Sequence, residues 1–212
     1  MATVGGSNQP QYRGKLGGVV YYLLNDVLVA RTIGVNNNPP SPMQRAGWMA
    51  TKIVSMFLKP LKSFINIGYE LIAKKRKTNQ YNEVYTYLRK NAVKGTYPDL
   101  EIDYEKVLLT SGKMPLPPNP MVVVTESGLS FTWDQEGEVR GAHWTDQVML
   151  VAYFPVLNQA IYLTAGARRN QGAEQLPLTG IAHGYEVHTY FSFIADDRMR
   201  IATSIYTGKL LW

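Results

Sequence analysis

Gly95 marks a change of side-chain period that limits the fold more than any other feature of the chain. Before it, Ala46, Ala50, Ile53, Val54, Phe57, Leu61, Phe64, Ile65, Gly68, Leu71 and Ile72 recur at three and four residues. That is the spacing of one helix face, and Lys52, Lys59 and Lys62 fall outside the seam. Ser41-Pro42-Met43-Gln44 supplies a capping hydroxyl, a proline at the first helical position and a Gln at the third, so a helix begins there. Pro60 removes one amide and collides with the preceding turn, which predicts a kink or a break near Leu58. The run ends at Lys74–Lys77. A further helix is expected from about Gln80 to Ala92, with Tyr81, Val84, Tyr85 and Leu88 on one face and Gly95 as its stop.

Beyond Gly95 the period is two. Leu100, Ile102 and Tyr104 alternate with Asp99, Glu101, Asp103 and Glu105; Leu129, Phe131 and Trp133 alternate with Ser130, Thr132 and Asp134; Tyr185, Val187, Phe191 and Phe193 share another strand face. Candidate strands lie near 106–110, 120–125, 128–134, 147–154, 160–165, 184–195 and 199–206. About seven short strands in roughly 110 residues predict an antiparallel sandwich of the immunoglobulin or fibronectin type III kind. The fold class is therefore α+β. Residues 1–11 read as a flexible arm, 12–95 as a β-hairpin plus a basic helical segment, and 96–212 as the β-sandwich domain. The hairpin turns at Asn25-Asp26, a pair that tolerates positive φ, and VNNNPP after it is a linker.

Charge is the only bulk property that divides along the chain. The net formal charge is +6, but Ser41 to Gly95 holds eleven Lys or Arg against Glu70 and Glu83, so the remainder is net acidic. Lys74, Lys75, Arg76, Lys77, Arg89, Lys90 and Lys94 form the candidate nucleic-acid-binding set, since clustered cations on helices neutralise phosphates. Cations in a last helical turn also complement the helix dipole, and no recognised DNA- or RNA-binding motif accompanies these. The chain has no Cys, which removes disulfides and thiolate chemistry. No run approaches the roughly 18 apolar residues of a membrane span, and no basic start with an apolar stretch marks a secretory signal. Cytoplasmic synthesis without a Sec signal is the expectation.

No catalytic constellation emerges. Gly14-Lys15 resembles part of a phosphate-binding loop, but Gln9 stands where the first Gly is needed, Leu16 replaces the magnesium-binding hydroxyl, and Val19-Val20-Tyr21-Tyr22 reads as strand where a helix must follow. An EF-hand loop starting at Asp99 would need Gly at 104 and Glu at 110, where Tyr104 and Thr110 stand. Asp134, Glu136 and Glu138 beside Trp133 and Trp144 lie in one turn-like stretch, whereas glycosidase carboxylates come from separate elements. His143, His183 and His188 have no metal-ligand spacing, and Trp133, Trp144, Tyr153 and Tyr162 are expected mostly in the core. Catalytic, metal and cofactor-binding residues are therefore assigned to none, and a small-molecule ligand is not expected.

RGKLGGVVYY, PPSPMQRA, FLKPLKSFINIGY, NAVKGTYPDLEIDYEKVLLTSGKMP and FSFIADDRMRIATSIYTGKL together resemble an uncharacterised family of Bacteroidota proteins of about 200 residues. The likeness runs from about Tyr12 to Leu210. It implies a shared fold and a bacterial origin, or a phage of such bacteria, and it carries over no active site. The expected function is a non-enzymatic structural or assembly protein whose partners are itself or other assembly proteins, with incorporation into a phage or prophage particle as the setting that fits. Nucleic-acid binding through the basic helical segment is the alternative.

Overall fold

The fold is described from a computed structural model covering residues 3–5, 11–24, 26–35, 37–135 and 137–212. The chain divides into two compact units, Met1–Ser41 and Pro42–Trp212. The division falls at the start of the first helix; the anticipated boundary at Gly95 lies inside the second unit.

The first unit is an antiparallel meander of β1 (Thr3–Gly5), β2 (Gln11–Leu16), β3 (Val19–Leu24) and β4 (Val27–Thr32), in that order. Gly17, at φ 58°, turns β2 into β3, a corner that an L side chain seldom fits. Thr3–Gly5 pair with Gln11–Arg13, so part of the segment expected to be an arm is a strand. The β3–β4 hairpin turns as expected, with Asp26 at φ 62°; Asn25 lies outside the described residues, as do Gln9 and Glu136.

The second unit opens with α1 (Pro42–Leu58), passes through a 3-10 turn at Lys59–Leu61 that contains Pro60, and continues as α2 (Lys62–Gly68). The predicted interruption near Leu58 is therefore a change of helix type. Tyr69 separates α2 from α3 (Glu70–Arg76), and Lys77, in left-handed conformation at φ 54°, closes α3. Asn79 then caps α4 (Gln80–Asn91) by accepting the Tyr81 amide at 2.8 Å. Gly95 is not the stop of that helix. It turns a two-stranded ribbon of β5 (Val93–Lys94) and β6 (Glu101–Ile102), with φ 89°. The expected strand face of Asp99, Glu101, Asp103 and Glu105 is accordingly cut short, because a 3-10 turn follows at Tyr104–Lys106.

Two antiparallel sheets complete the unit. One has the order β10 (Gln159–Leu163), β9 (Gln147–Phe154), β12 (Glu186–Ile194), β13 (Ile205–Leu211); the other has the order β11 (Ala173–Pro177), β8 (Gly128–Thr132), β7 (Met121–Thr125). Residues 106–110 and 199–204 form no regular strand, apart from short bridges at Ile201 and Ala202, and β11 and most of β13 fall outside the expected set.

Period two divides the central strands between two cores. Val148, Leu150, Ala152 and Phe154 of β9, with Val187, Phe191 and Phe193 of β12, face the three-stranded sheet and pack with Leu129, Phe131 and Trp133. The intervening Met149, Val151, Tyr153, Tyr190 and Ile194 face the helices and pack with Phe57, Leu61, Phe64 and Leu88. Phe57 meets Tyr153 edge to face at 4.7 Å, and Phe64 meets Tyr162 at 5.7 Å. The four-stranded sheet is thus a shared middle layer, with helices on one side and a second sheet on the other.

Candidate functional site

The seven cations of the candidate nucleic-acid set are not presented as one surface. Lys74 pairs with Glu70 at 2.6 Å, Arg76 with Glu83 at 2.7 Å, and Lys94 with Glu101 at 3.3 Å. Arg89 donates to the Gly47 carbonyl and to Thr51 Oγ1, each at 2.9 Å, and so fastens α4 to α1. Lys77 is the helix-closing residue, and Lys90 is exposed near the end of α4. Lys74–Lys77 precede the start of α4 while Arg89 and Lys90 sit in its last turn and Lys94 beyond it, so roughly 14 Å of helix axis lies between the groups.

Lys75 has a different setting. It stands with Leu71 and Ile72 of α3 on one wall of a cleft of about 550 Å³. The 111–114 stretch supplies Lys113 and Met114, and the connection from β12 to β13 supplies Met199, Arg200 and Ile201. Met114 and Ile201 are buried, Met199 is 70% exposed, and Arg200 is held at the rim by a 3.1 Å hydrogen bond from its guanidinium to the Gly141 carbonyl. Among the described residues no carboxylate lines the cleft, and neither Lys75 nor Lys113 forms an ion pair. Sequence reasoning placed Lys75 in a charge run and missed the cleft altogether, because its walls are some 130 residues apart along the chain.

The other motifs resolve into structural roles. Gly14 and Lys15 lie in β2 and are followed by strand β3, as the strand-like Val19–Tyr22 predicts. Trp133 is buried, donating its indole N–H to the Arg169 carbonyl at 2.8 Å. Trp144 is half exposed under the Arg168 guanidinium, which lies 5.5 Å from its ring centre. His143 bonds Thr145 through Nδ1, His183 stacks on Trp212, and His188 lies on β12, so the three imidazoles stand apart. Among the described residues no group of three or more His, Cys, Asp or Glu could hold a metal ion, and no helix is long and apolar enough to cross a membrane.

His188 is buried on the helix-facing side of β12, stacked on Tyr104 at 3.8 Å, with Nδ1 at 2.9 Å from the Tyr206 hydroxyl. Burial pushes its pKa down from 6.5 to about 4, against an upward pull from Glu186 and with a smaller downward push from Lys209. The folded state therefore holds a neutral imidazole that the unfolded chain protonates first. Its contribution to stability is complete above pH 6.5 and declines as pH falls from 6.5 toward 4. Melting temperatures measured across that window should fall more steeply for the parent chain than for His188→Phe. Parallel slopes would refute the assignment.

Neither a curated protein nor a solved structure matches the chain. The model of a family of unknown function (DUF6266) matches residues 14–208, a span that takes in β3, β4, every helix and both packed sheets up to the middle of β13, and the chain belongs to that family.

Proposed function

We propose that the chain is a non-enzymatic structural or assembly protein that makes homomeric contacts through its N-terminal sheet. The observation that carries this reading is a sheet without an interior: no residue whose burial is described in Met1–Ser41 is buried. Register puts Val20, Tyr22, Leu24, Val27 and Val29 on one face, and Val19, Tyr21, Leu23, Leu28 and Ala30 on the other. Leu24, Val27 and Leu28 are more than two-fifths exposed. A sheet with apolar residues on both faces gains stability only when another surface covers at least one of them.

A second copy is the occupant we favour. The sheet carries Arg13, Lys15 and Arg31 against Asp26, while the second unit displays the exposed acids Asp99 and Glu105, so unlike charges are available to meet between copies. The outer edge of β4 is unpaired among the described residues and can extend the sheet by strand addition. A phage or prophage particle of a Bacteroidota host fits such a part. Nucleic-acid binding has less for it, since four of its seven cations already serve contacts within the chain.

For the packed sheets we propose a fibronectin type III-like or immunoglobulin-like sandwich. The strand order supports it: counting β7 to β13 as first to seventh, one sheet runs fifth-second-first and the other fourth-third-sixth-seventh, with the helices added on an outer face.

Light scattering and native mass measurement of the full chain over a concentration series test the assembly reading. The expected result is a mass that rises with concentration and returns toward the monomer in the doubly substituted Leu24→Lys, Val27→Lys chain. A monomer at every concentration, with no co-purifying partner, would overturn it.

A further inference from the structure

The geometry points to the cleft between α3, the 111–114 stretch and the 199–201 connection as a binding site for a small amphiphilic anion: a flexible apolar body, such as an acyl chain, ending in a carboxylate. The walls are apolar at Ile72, Met114 and Ile201, the last two of them buried. About 550 Å³ falls within the roughly 300–1,000 Å³ range of small-molecule sites. Met199 stands over this space 70% exposed, and an apolar occupant would remove part of that surface, and of the walls below it, from water. Thioether side chains adapt to occupants of variable shape, and two of them take part.

The rim selects the charge. Lys75 and Lys113 approach from separate segments, and no carboxylate in the lining neutralises them. Arg200 spends one N–H on the Gly141 carbonyl, which fixes the guanidinium while leaving further donors for a ligand. An uncharged apolar molecule would leave these cations without a counter-charge, and a cationic one would be repelled. The lysine stems can lie along the apolar walls while their ammonium groups reach the ligand head. A carboxylate-ended chain satisfies both parts of the site together. A concave space bounded by three segments suits a small molecule better than a segment of another protein.

The test is isothermal titration calorimetry of the full chain with decanoate below its micellar concentration, beside decanol and decyltrimethylammonium. Saturable one-to-one binding of decanoate is expected, with decanol about tenfold weaker or worse and no binding of the cation; added salt should weaken decanoate more than decanol. Met199→Glu and the doubly substituted Lys75→Glu, Lys113→Glu chain should each reduce decanoate affinity about tenfold or more. All three side chains are exposed, so the melting temperature should hold; if Met199→Glu fails to fold, the lysine pair decides. The proposal is overturned by absence of saturable decanoate binding, by equal binding of decanoate and decanol, by undiminished binding in the charge-reversed chain, or by binding of an apolar peptide but not of decanoate.

Discussion

Gly112→Ala is expected to remove the cooperative fold of the second unit, or to destabilise it by about 4 kcal/mol or more. A Cβ at this position would overlap the carbonyl oxygen of Ile201 and lie 2.6 Å from its carbonyl carbon. Neither partner can retreat. The Ile201 carbonyl accepts the Met114 amide at 3.0 Å, Ile201 bridges to Ile194, and the Gly112 carbonyl accepts from Thr203 Oγ1 at 2.8 Å. The obstacle is backbone and therefore cannot be relieved by a rotamer change. Gly47→Ala is the matched control. Its Cβ would meet only the end of the Arg89 side chain at 3.6 Å, and in the interior of α1 the exchange should stabilise by about 0.5–1 kcal/mol. Urea unfolding followed by circular dichroism measures both. A Gly112→Ala midpoint equal to that of the parent would show that the chain crossing is looser than described.

Ser204→Ala should cost about 2–5 kcal/mol, far more than the loss of one surface hydroxyl. Ser204 is buried, and its Oγ accepts the amides of Leu109 and Thr110, at 2.8 and 3.2 Å. Removing that oxygen leaves two buried donors without partners at once. Around them, Thr110 Oγ1 lies 2.8 Å from Ser192 Oγ and 2.8 Å from the Ala202 carbonyl, all away from solvent. This polar cluster holds the passage from helices to sheets: the Ser111 amide bonds the Gly68 carbonyl, and the Tyr69 hydroxyl donates to the Leu108 carbonyl. Ser204→Thr keeps an accepting oxygen at the position and should recover much of the loss, less a packing penalty for the added methyl. Equal unfolding midpoints for the parent and Ser204→Ala would dispose of the argument.

Elements with strong local signals were legible in the sequence. Pro42 as first helical residue, Pro60 as interruption, and the uninterrupted apolar run of Val148–Phe154 all come from short-range sterics or from burial on two faces. β11 was not legible, because AEQLP has no alternation and ends in proline; it earns its place only by pairing with β8. Residues 106–110 read as a strand from the apolar run Val107-Leu108-Leu109; Val107 and Leu109 are fully buried, yet they serve as anchors in a crossing segment without a ladder. For the candidate sites the limit is sharper. A run of cations can be counted, but whether Arg89 reaches across to Gly47 or Lys75 meets Arg200's cleft depends on packing between segments with no sequence proximity.

Because one sheet lends a wall to each of its neighbours, the helical half cannot be an accessory that the family acquires or sheds. A descendant lacking it would carry Met149, Val151, Tyr153 and Ile194 as an oily outer skin, so the helices and the two sheets should stand or fall together as a single block.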